Sequence, residues 1–146
     1  MREPPRLRAT TAYDRTYDDP SPELLHRLLT EAVEEYPFVV LERLDLGPGG
    51  HFMQTFYWDD ATGCSVEYRE GSSERQFRTL VSGPLVPDGH RAVTGLLLDW
   101  AHERPGWRER HVWEPVFTEA QLRRERIADR TLGRLFRRRP RGRGEG

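Results

Sequence analysis

The amino-acid sequence predicts an α+β fold, in which one antiparallel meander sheet of four or five strands carries helices packed on one face. Leucines recur at helical spacing near the start of the chain, within residues 21–36. Four segments of strand character follow between residues 38 and 82, and their connections are too short to hold a helix. Helical spacing then returns near residue 89. The expected order is α-β-β-β-β-α-β, with a basic amphipathic helix appended at the C-terminus.

The first helix is expected in SPELLHRLLTEAVEEY, residues 21–36. Ser21 suits the N-cap, Pro22 suits the first helical position, and Pro37 ends the helix. One broad apolar face is formed by Leu24, Leu25, Leu28, Leu29, Ala32, Val33 and Tyr36. Residues 1–20 are rich in Pro, Arg and Asp and show no such periodicity, so we expect a flexible N-terminal arm there.

Four strands are expected in FVVLERL, HFMQTFYW, CSVEYRE and QFRTLVS. The second strand has aromatic residues on both faces, with Phe52, Phe56 and Trp58 on one parity and Tyr57 on the other. In the third strand, Cys64, Val66 and Tyr68 are expected to face the core, and Ser65, Glu67 and Arg69 to face water. Gly63 can supply the positive φ that a tight turn needs between these two strands.

A second helix is expected from Gly89 to about Glu103, with Asp88 as its cap and Pro105 at its end. Its buried stripe comprises Val93, Leu96, Leu97, Trp100 and Ala101. RHVWEPV then predicts a short edge strand. The residues expected to be buried together in the core are Leu28, Val40, Val66, Tyr68, Leu97 and Trp100.

The clearest local signature is FTEAQL, where Thr118 and Gln121 have the spacing of a capping box and Phe117 can pack against Leu122. A third helix is therefore expected to reach about Phe136. The predicted organisation is a flexible arm (1–20), an α+β core domain (21–116), a basic helix (117–137) and a disordered tail (138–146).

Composition excludes several classes of protein. Charged residues make up 32% of the chain, above the usual share of about 25%, so the surface should be highly charged. No apolar run approaches the ~20 residues that a membrane span needs. Because Cys64 is the single cysteine, no internal disulfide can form, and a cytoplasmic location is expected.

The charge of the chain is divided between its two parts. Residues 1–119 contain 13 arginines and 21 acidic residues, a net charge of −8, whereas residues 120–146 contain 10 arginines and 3 acidic residues, a net charge of +7. An acidic body with a basic tail bears on partners and solubility more than on the fold.

No pattern of residues indicates catalysis or a metal centre. Cys64 shares strand parity with buried residues, as free cysteines commonly do. The five histidines lack metal-ligand spacing, and the adjacent pairs Asp18–Asp19 and Asp59–Asp60 fall in predicted turns, where Asp favours the backbone geometry. We therefore expect no catalytic, cofactor-binding or metal-binding residues, and a protein that is not an enzyme.

Two tryptophans lie in the very polar stretch RPGWRERHVWEP. Trp107 follows a Pro-Gly turn and is expected to fold back over the end of the core. Trp113 has two interpretations, as an edge residue packed on the sheet or as the exposed anchor of a binding surface, since Trp and Arg are enriched at interface hot spots. On the second interpretation, the expected partner-binding residues are Trp113, Arg108, Arg110, Glu67 and Arg69.

The basic helix is dense enough in arginine to contact nucleic acid. The residues expected to do so are Arg123, Arg124, Arg130, Arg134, Arg137 and Arg138. Two other interpretations remain open: the helix docks its apolar residues on the acidic body, or it is a solvated tail.

Two stretches carry a resemblance to known proteins. FMQTFYWDDATGCSVEYREG (52–71) and LLDWAHERPGWRERHVWEPV (97–116) resemble small actinobacterial α+β proteins of the immunity type found in polymorphic-toxin systems. In those proteins a final helix is followed by an RP turn and a strand Trp, here Arg104, Pro105 and Trp113. More loosely, Gln54 and Glu67 are similar to a Q…E hairpin of type III secretion chaperone-like domains. The resemblance covers about residues 21–116, and the basic tail from Thr118 departs from it.

Both resemblances imply protein binding without catalysis. The expected function is therefore that of a protein-binding domain, and an immunity-like protein that neutralises a basic toxin or effector is its specific form. The first alternative is a nucleic-acid-associated regulator that acts through the C-terminal helix, and the second is a secretion-chaperone-like protein.

Overall fold

A computed structural model describes residues 3–32, 36–86 and 88–138. The strands are β1 (Leu7–Thr10), β2 (Thr16–Asp18), β3 (Phe38–Arg43), β4 (His51–Asp59), β5 (Gly63–Glu70), β6 (Gln76–Ser82) and β7 (Glu114–Pro115). The helices are α1 (Pro22–Thr30), α2 (Gly89–Ala101) and α3 (Glu119–Arg138). All neighbouring strands pair antiparallel in the order β2-β1-β3-β4-β5-β6-β7. The chain divides after Val116 into two compact units, of which the first is called the body below.

The predicted α+β class and the antiparallel meander of β3 to β6 are confirmed, but the sheet has seven strands where four or five were predicted. The expected flexible arm is wrong for residues 7–18, which form β1 and β2. Leu7 and Ala9 are buried in the core, and β1 pairs with β3 along its whole length. The carboxylate of Asp19 also accepts the backbone N–H groups of Arg6 (3.0 Å) and Leu7 (2.9 Å).

The predicted start of α1 is confirmed and its predicted end is wrong. Ser21 is the N-cap, its hydroxyl accepts the backbone N–H of Leu24 at 3.1 Å, and Pro22 is the first helical residue. The helix ends at Thr30 rather than near residue 36, and residues 33–35 lie outside the described part. Its buried residues are Leu25, Leu28 and Leu29.

The core lies between α1, α2 and one face of the sheet. Five of the six residues predicted to be buried together belong to a single cluster: Leu28, Val66, Tyr68, Leu97 and Trp100. Val40 was predicted wrongly, because the buried apolar residues of β3 are its neighbours Val39 and Leu41. FVVLER is apolar at four consecutive positions, so alternation could not show which parity faces the helices.

Two expectations around α2 also need correction. Asp88 precedes the helix, but its backbone is already helical (φ −101°, ψ −21°) and its side chain makes no capping hydrogen bond. The edge strand predicted in RHVWEPV is reduced to the two residues of β7, and Val112 is highly exposed.

The second compact unit contains α3. Its capping box is confirmed: the backbone N–H of Thr118 donates to Gln121 Oε1 at 2.7 Å, and the backbone N–H of Gln121 donates to Thr118 Oγ1 at 3.1 Å. The described part of α3 extends to Arg138, and the remainder of the predicted tail, residues 139–146, lies outside the described part. None of the described helices is long and apolar enough to cross a membrane.

Candidate functional site

The face of the sheet that points away from α1 and α2, called the outer face below, carries a row of large apolar side chains. The strand register aligns Phe38 of β3 with Phe56 of β4, Phe56 with Ser65 of β5, and Ser65 with Leu80 of β6. The apolar members of this row are strongly exposed: Phe38 41%, Phe56 41% and Leu80 50%. Phe38 and Phe56 are adjacent, whereas Ser65 separates Phe56 from Leu80. Adjacent exposed apolar groups are less common on soluble proteins than single ones, and they mark candidate binding surfaces.

Trp58 extends the row at the end of β4. The pairing of β4 with β5 shifts register between Tyr57 and Asp59, so Trp58 lies at a bulge, a feature that commonly re-aims a side chain. Its ring centroid lies 4.9 Å from that of Phe56, and its indole N–H donates to Ser65 Oγ at 3.3 Å. Trp58 is 51% exposed. The indole is thereby oriented while half of its surface faces solvent.

These side chains border a concavity of about 320 Å³, called the outer groove below. One wall is aromatic, formed by Phe38, Phe56 and Trp58, and the other is polar, formed by Gln54, Glu67 and Arg78. The groove therefore offers an apolar surface beside a few fixed polar groups, as binding sites generally do.

The polar wall is a connected network centred on Glu67. Its Oε2 accepts hydrogen bonds from the side-chain amides of Gln54 (2.8 Å) and Gln76 (3.2 Å), and its Oε1 lies 3.8 Å from Nε of Arg78. Gln76 is buried, and its Oε1 has no hydrogen-bond partner among the described residues. This network holds Glu67 in place beside the aromatic wall.

The five residues predicted to bind a partner do not form one surface. Glu67 and Arg69 lie on the outer face, as predicted for their strand. The guanidinium of Arg108 instead lies 5.3 Å from the ring centroid of Tyr68, whose side chain is in the core on the opposite face. Arg110 is bound to Asp99 of α2 (2.6 Å). The predicted patch is therefore corrected to two separate regions.

Trp113 packs on the edge of the core, so the first of its two interpretations is the correct one. Its ring centroid lies 4.7 Å from that of Tyr68 and 5.7 Å from that of Trp107. Its indole N–H donates to the backbone carbonyl of Arg108 at 3.0 Å. Trp107 is 6% exposed, as predicted for a residue that closes the end of the core. Together the two tryptophans fasten the charged loop after α2 to the sheet.

The residue types that often act in catalysis are either buried or bound within turns here, as Cys64, Asp59 and Asp60 show. Cys64 is buried as predicted, and its burial raises the pKa of the thiol to about 12, so the reactive thiolate is strongly disfavoured. Asp59 accepts from Thr62 within a turn (2.6 and 2.9 Å), which lowers the pKa of its carboxyl group, and Asp60 accepts the backbone N–H of Val86 (2.9 Å). The described residues contain no group of three or more His, Cys, Asp or Glu able to hold a metal ion.

The arginines predicted to contact nucleic acid all lie on α3. Arg123, Arg124 and Arg130 have exposed side chains. Arg134, Arg137 and Arg138 are in the same helix, and their side chains lie outside the described part.

Comparison of the chain with protein-family models, with curated proteins and with solved structures finds no match. Sequence reasoning missed Phe38 and Leu80, and it noted the shared parity of Phe56 and Trp58 without assigning them a role. A usable signal was present: β4 has aromatic residues on both parities, and a sheet covered by helices on one face must expose one of the two sets.

Proposed function

We propose that this protein is a non-catalytic protein-binding domain, and that its binding surface is the outer groove and the apolar row beside it. The observation that carries the proposal is the alignment of Phe38 with Phe56 on neighbouring strands, with Trp58 packed against Phe56. Leu80 continues the row beyond Ser65 of β5, and all four apolar side chains are about half exposed. Aromatic side chains at the centre of a patch supply much of the energy of protein association when a partner removes them from water.

The charge of the body favours a basic partner. Residues 1–119 have a net charge of −8, and an acidic surface attracts a positively charged protein over long range and accelerates encounter. The apolar row then supplies short-range affinity. An immunity-like role, in which the partner is a basic toxin or effector, is the specific form of this proposal.

Co-expression with the product of the adjacent gene tests the proposal. The purified complex is reconstituted, and its affinity is measured by isothermal titration calorimetry for the wild-type protein and for Phe56→Ala and Trp58→Ala. We expect each change to weaken binding by about 2 kcal/mol, the effect of removing an interface hot spot, while the melting temperature of the free protein stays nearly constant.

Leu46→Ala is the matched control, because Leu46 is 44% exposed but does not border the outer groove. It should leave the affinity unchanged. Equal affinities for the wild type, Phe56→Ala and Trp58→Ala would contradict the proposed surface. If the neighbouring product forms no complex at all, the immunity-like form of the proposal is wrong.

A second candidate function, polyanion binding, is favoured by the exposed arginines of α3. In fluorescence anisotropy, such binding to duplex or single-stranded DNA should fall steeply between 50 and 200 mM salt, since it releases about one counterion per neutralised phosphate. Arg123→Glu combined with Arg124→Glu should abolish it. If the protein binds no nucleic acid even at about 50 mM salt, polyanion binding is not its function.

A further inference from the structure

A second concavity, of about 400 Å³, lies at the end of the sheet where β3 and β5 finish and β4 begins. We call it the arginine cleft. It is separate from the outer groove, and its walls include the end of α2 and the loop that follows. Four arginines line it: Arg43, Arg75, Arg104 and Arg108. Residues 1–119 have a net charge of −8, so four arginines around one cleft are a local reversal of charge.

The carboxylates at this end of the sheet are shared between arginines. Glu70 accepts from both Arg75 (2.9 Å) and Arg108. Asp99 accepts in the same way from Arg104 (3.4 Å) and Arg110 (2.6 Å). Each of these two groups therefore contains two guanidinium groups and one carboxylate, which leaves a net charge of +1 on the Glu70 group and +1 on the Asp99 group.

Arg43 forms the third group and is electrically balanced. It is buried, its guanidinium donates to Asp45 (2.7 and 3.3 Å) and to Glu103 (2.8 Å), and Arg6 lies 3.4 Å from Asp45. The hydrogen bond to Asp45 raises the pKa of Arg43 above its already high value, so this guanidinium is permanently charged. Across the three groups, the described ion pairs leave an excess of two positive charges.

The three exposed arginines of the cleft have N–H donors that their ion pairs do not use. The side chains of Arg75, Arg104 and Arg108 are 64%, 58% and 47% exposed. A guanidinium has five N–H donors, and the ion pairs described above use few of them. Further N–H groups are therefore available to a ligand that enters the cleft.

Two tryptophans of the core form part of the apolar side of the cleft. Trp100 and Trp107 line it, and both are buried in the core cluster. The guanidinium of Arg108 lies 4.9 Å from the ring centroid of Trp107, and its backbone carbonyl accepts the indole N–H of Trp113. Cation–π packing and this hydrogen bond orient Arg108 before any ligand arrives, which reduces the entropic cost of binding.

We propose that the arginine cleft binds a small molecule bearing a phosphate monoester. A phosphate dianion matches the excess of two positive charges, and guanidinium forks bind phosphate oxygens through paired, charge-assisted hydrogen bonds. The volume falls within the range of small-molecule sites, roughly 300–1,000 Å³. The remainder of the ligand lies against Leu46, an apolar side chain of the cleft lining that is 44% exposed. This site goes beyond the proposed protein-binding function and does not depend on it.

The test is a titration of the full-length isotope-labelled protein, followed by NMR at the indole N–H signals of Trp100 and Trp107. These signals report on the cleft rather than on the basic C-terminal helix. The probes are adenosine monophosphate, adenosine and inorganic phosphate. We expect saturable shifts with adenosine monophosphate, weaker binding of inorganic phosphate and no binding of adenosine.

Matched variants separate the cleft from general attraction of anions. Arg104→Gln should weaken binding of adenosine monophosphate about tenfold, the effect of one lost charge-assisted hydrogen bond. Arg78→Gln loses an ion pair to Glu67 but neither lines the cleft nor belongs to the three groups, so it should bind as the wild type does. Arg75→Gln should behave like Arg104→Gln.

Three results would overturn the proposal. The first is the absence of saturable shifts at either indole with adenosine monophosphate. The second is equal binding by Arg104→Gln, Arg78→Gln and the wild type. The third is binding of inorganic phosphate as tightly as the monoester, which would show that the apolar side of the cleft contributes nothing.

Discussion

Individual side chains decide which face of each strand is buried, and sequence patterns indicate this only where they alternate. In β5, Cys64, Val66 and Tyr68 alternate with polar residues, and their burial could be predicted. In β3, an unbroken apolar run concealed that Val39 rather than Val40 faces the helices. Whether Trp113 packs on the core could not be derived either, because it depends on contacts with Tyr68, distant in sequence.

Leu97 tests the core at this scale. It is completely buried among residues of the sheet and α1, so Leu97→Ala removes apolar contacts and leaves a cavity. We expect urea unfolding to show a loss of about 2–5 kcal/mol. Leu80→Ala, at an exposed position on the outer face, should change stability by less than about 0.5 kcal/mol. Similar losses for the two variants would contradict the placement of the core.

Trp113 distinguishes edge packing from a surface anchor. Trp113→Ala removes contacts with Tyr68 and Trp107 and a hydrogen bond to Arg108. Because the residue is partly buried, we expect a loss of about 2 kcal/mol, less than the 3–5 kcal/mol typical of a fully buried aromatic side chain. Thermal unfolding measures it, with Trp58→Ala as the nearly neutral comparison. An unchanged melting temperature for Trp113→Ala would restore the surface interpretation.

Asp45 gives stability a defined pH dependence. Its hydrogen bonds with Arg43 lower the pKa of its carboxyl group in the folded protein. A carboxyl group with a lowered pKa stabilises the fold above its unfolded pKa, near pH 4, and this contribution is lost as the pH falls through the folded value. Wild-type protein should therefore exceed Asp45→Asn in urea stability at pH 7, and the difference should shrink toward pH 3. A constant difference would show that the ion pair does not contribute.

At the scale of elements, caps and turns were predictable because their signals are local. Ser21 before α1, the capping box of α3 and the turn glycine Gly63 are each specified by a few neighbouring residues. The strands β1 and β2 were missed, since Leu7 and Ala9 provide two apolar positions in a short polar segment. Their stability comes from pairing with β3, about thirty residues away in sequence, which local patterns cannot reveal.

Gly63 tests the β4–β5 hairpin. Its φ is 109°, and a Cβ at this position would lie 2.0 Å from the carbonyl oxygen of Val81 on β6. Gly63→Ala should therefore lower the free energy of unfolding in urea by more than about 2 kcal/mol, because the alanine would have both a strained φ and a clash with the backbone of β6. Gly47 also has a positive φ (98°), but no atom lies within 4 Å of its added Cβ. Gly47→Ala should cost only about 1 kcal/mol, and equal losses would contradict the close strand contact.

At the scale of the whole molecule, composition indicated how charge is distributed but not where binding surfaces form. The division between an acidic body and a basic C-terminal part is visible in the sequence. The outer groove depends on cross-strand register, which aligns Phe38, Phe56 and Leu80. The arginine cleft similarly combines Arg43 and Arg75 with the loop after α2. Neither arrangement follows from spacing along the chain.

Side-chain footprinting by hydroxyl radicals directly tests the proposal that a partner protein covers the outer groove. Trp58 is half exposed in the free protein and should be oxidised readily, whereas the buried Trp107 should react slowly. In the complex with the adjacent gene's product, we expect the oxidation of Trp58 and of Phe56 to fall strongly and that of Trp107 to stay unchanged. Equal oxidation of Trp58 in the free and bound protein would contradict the claim.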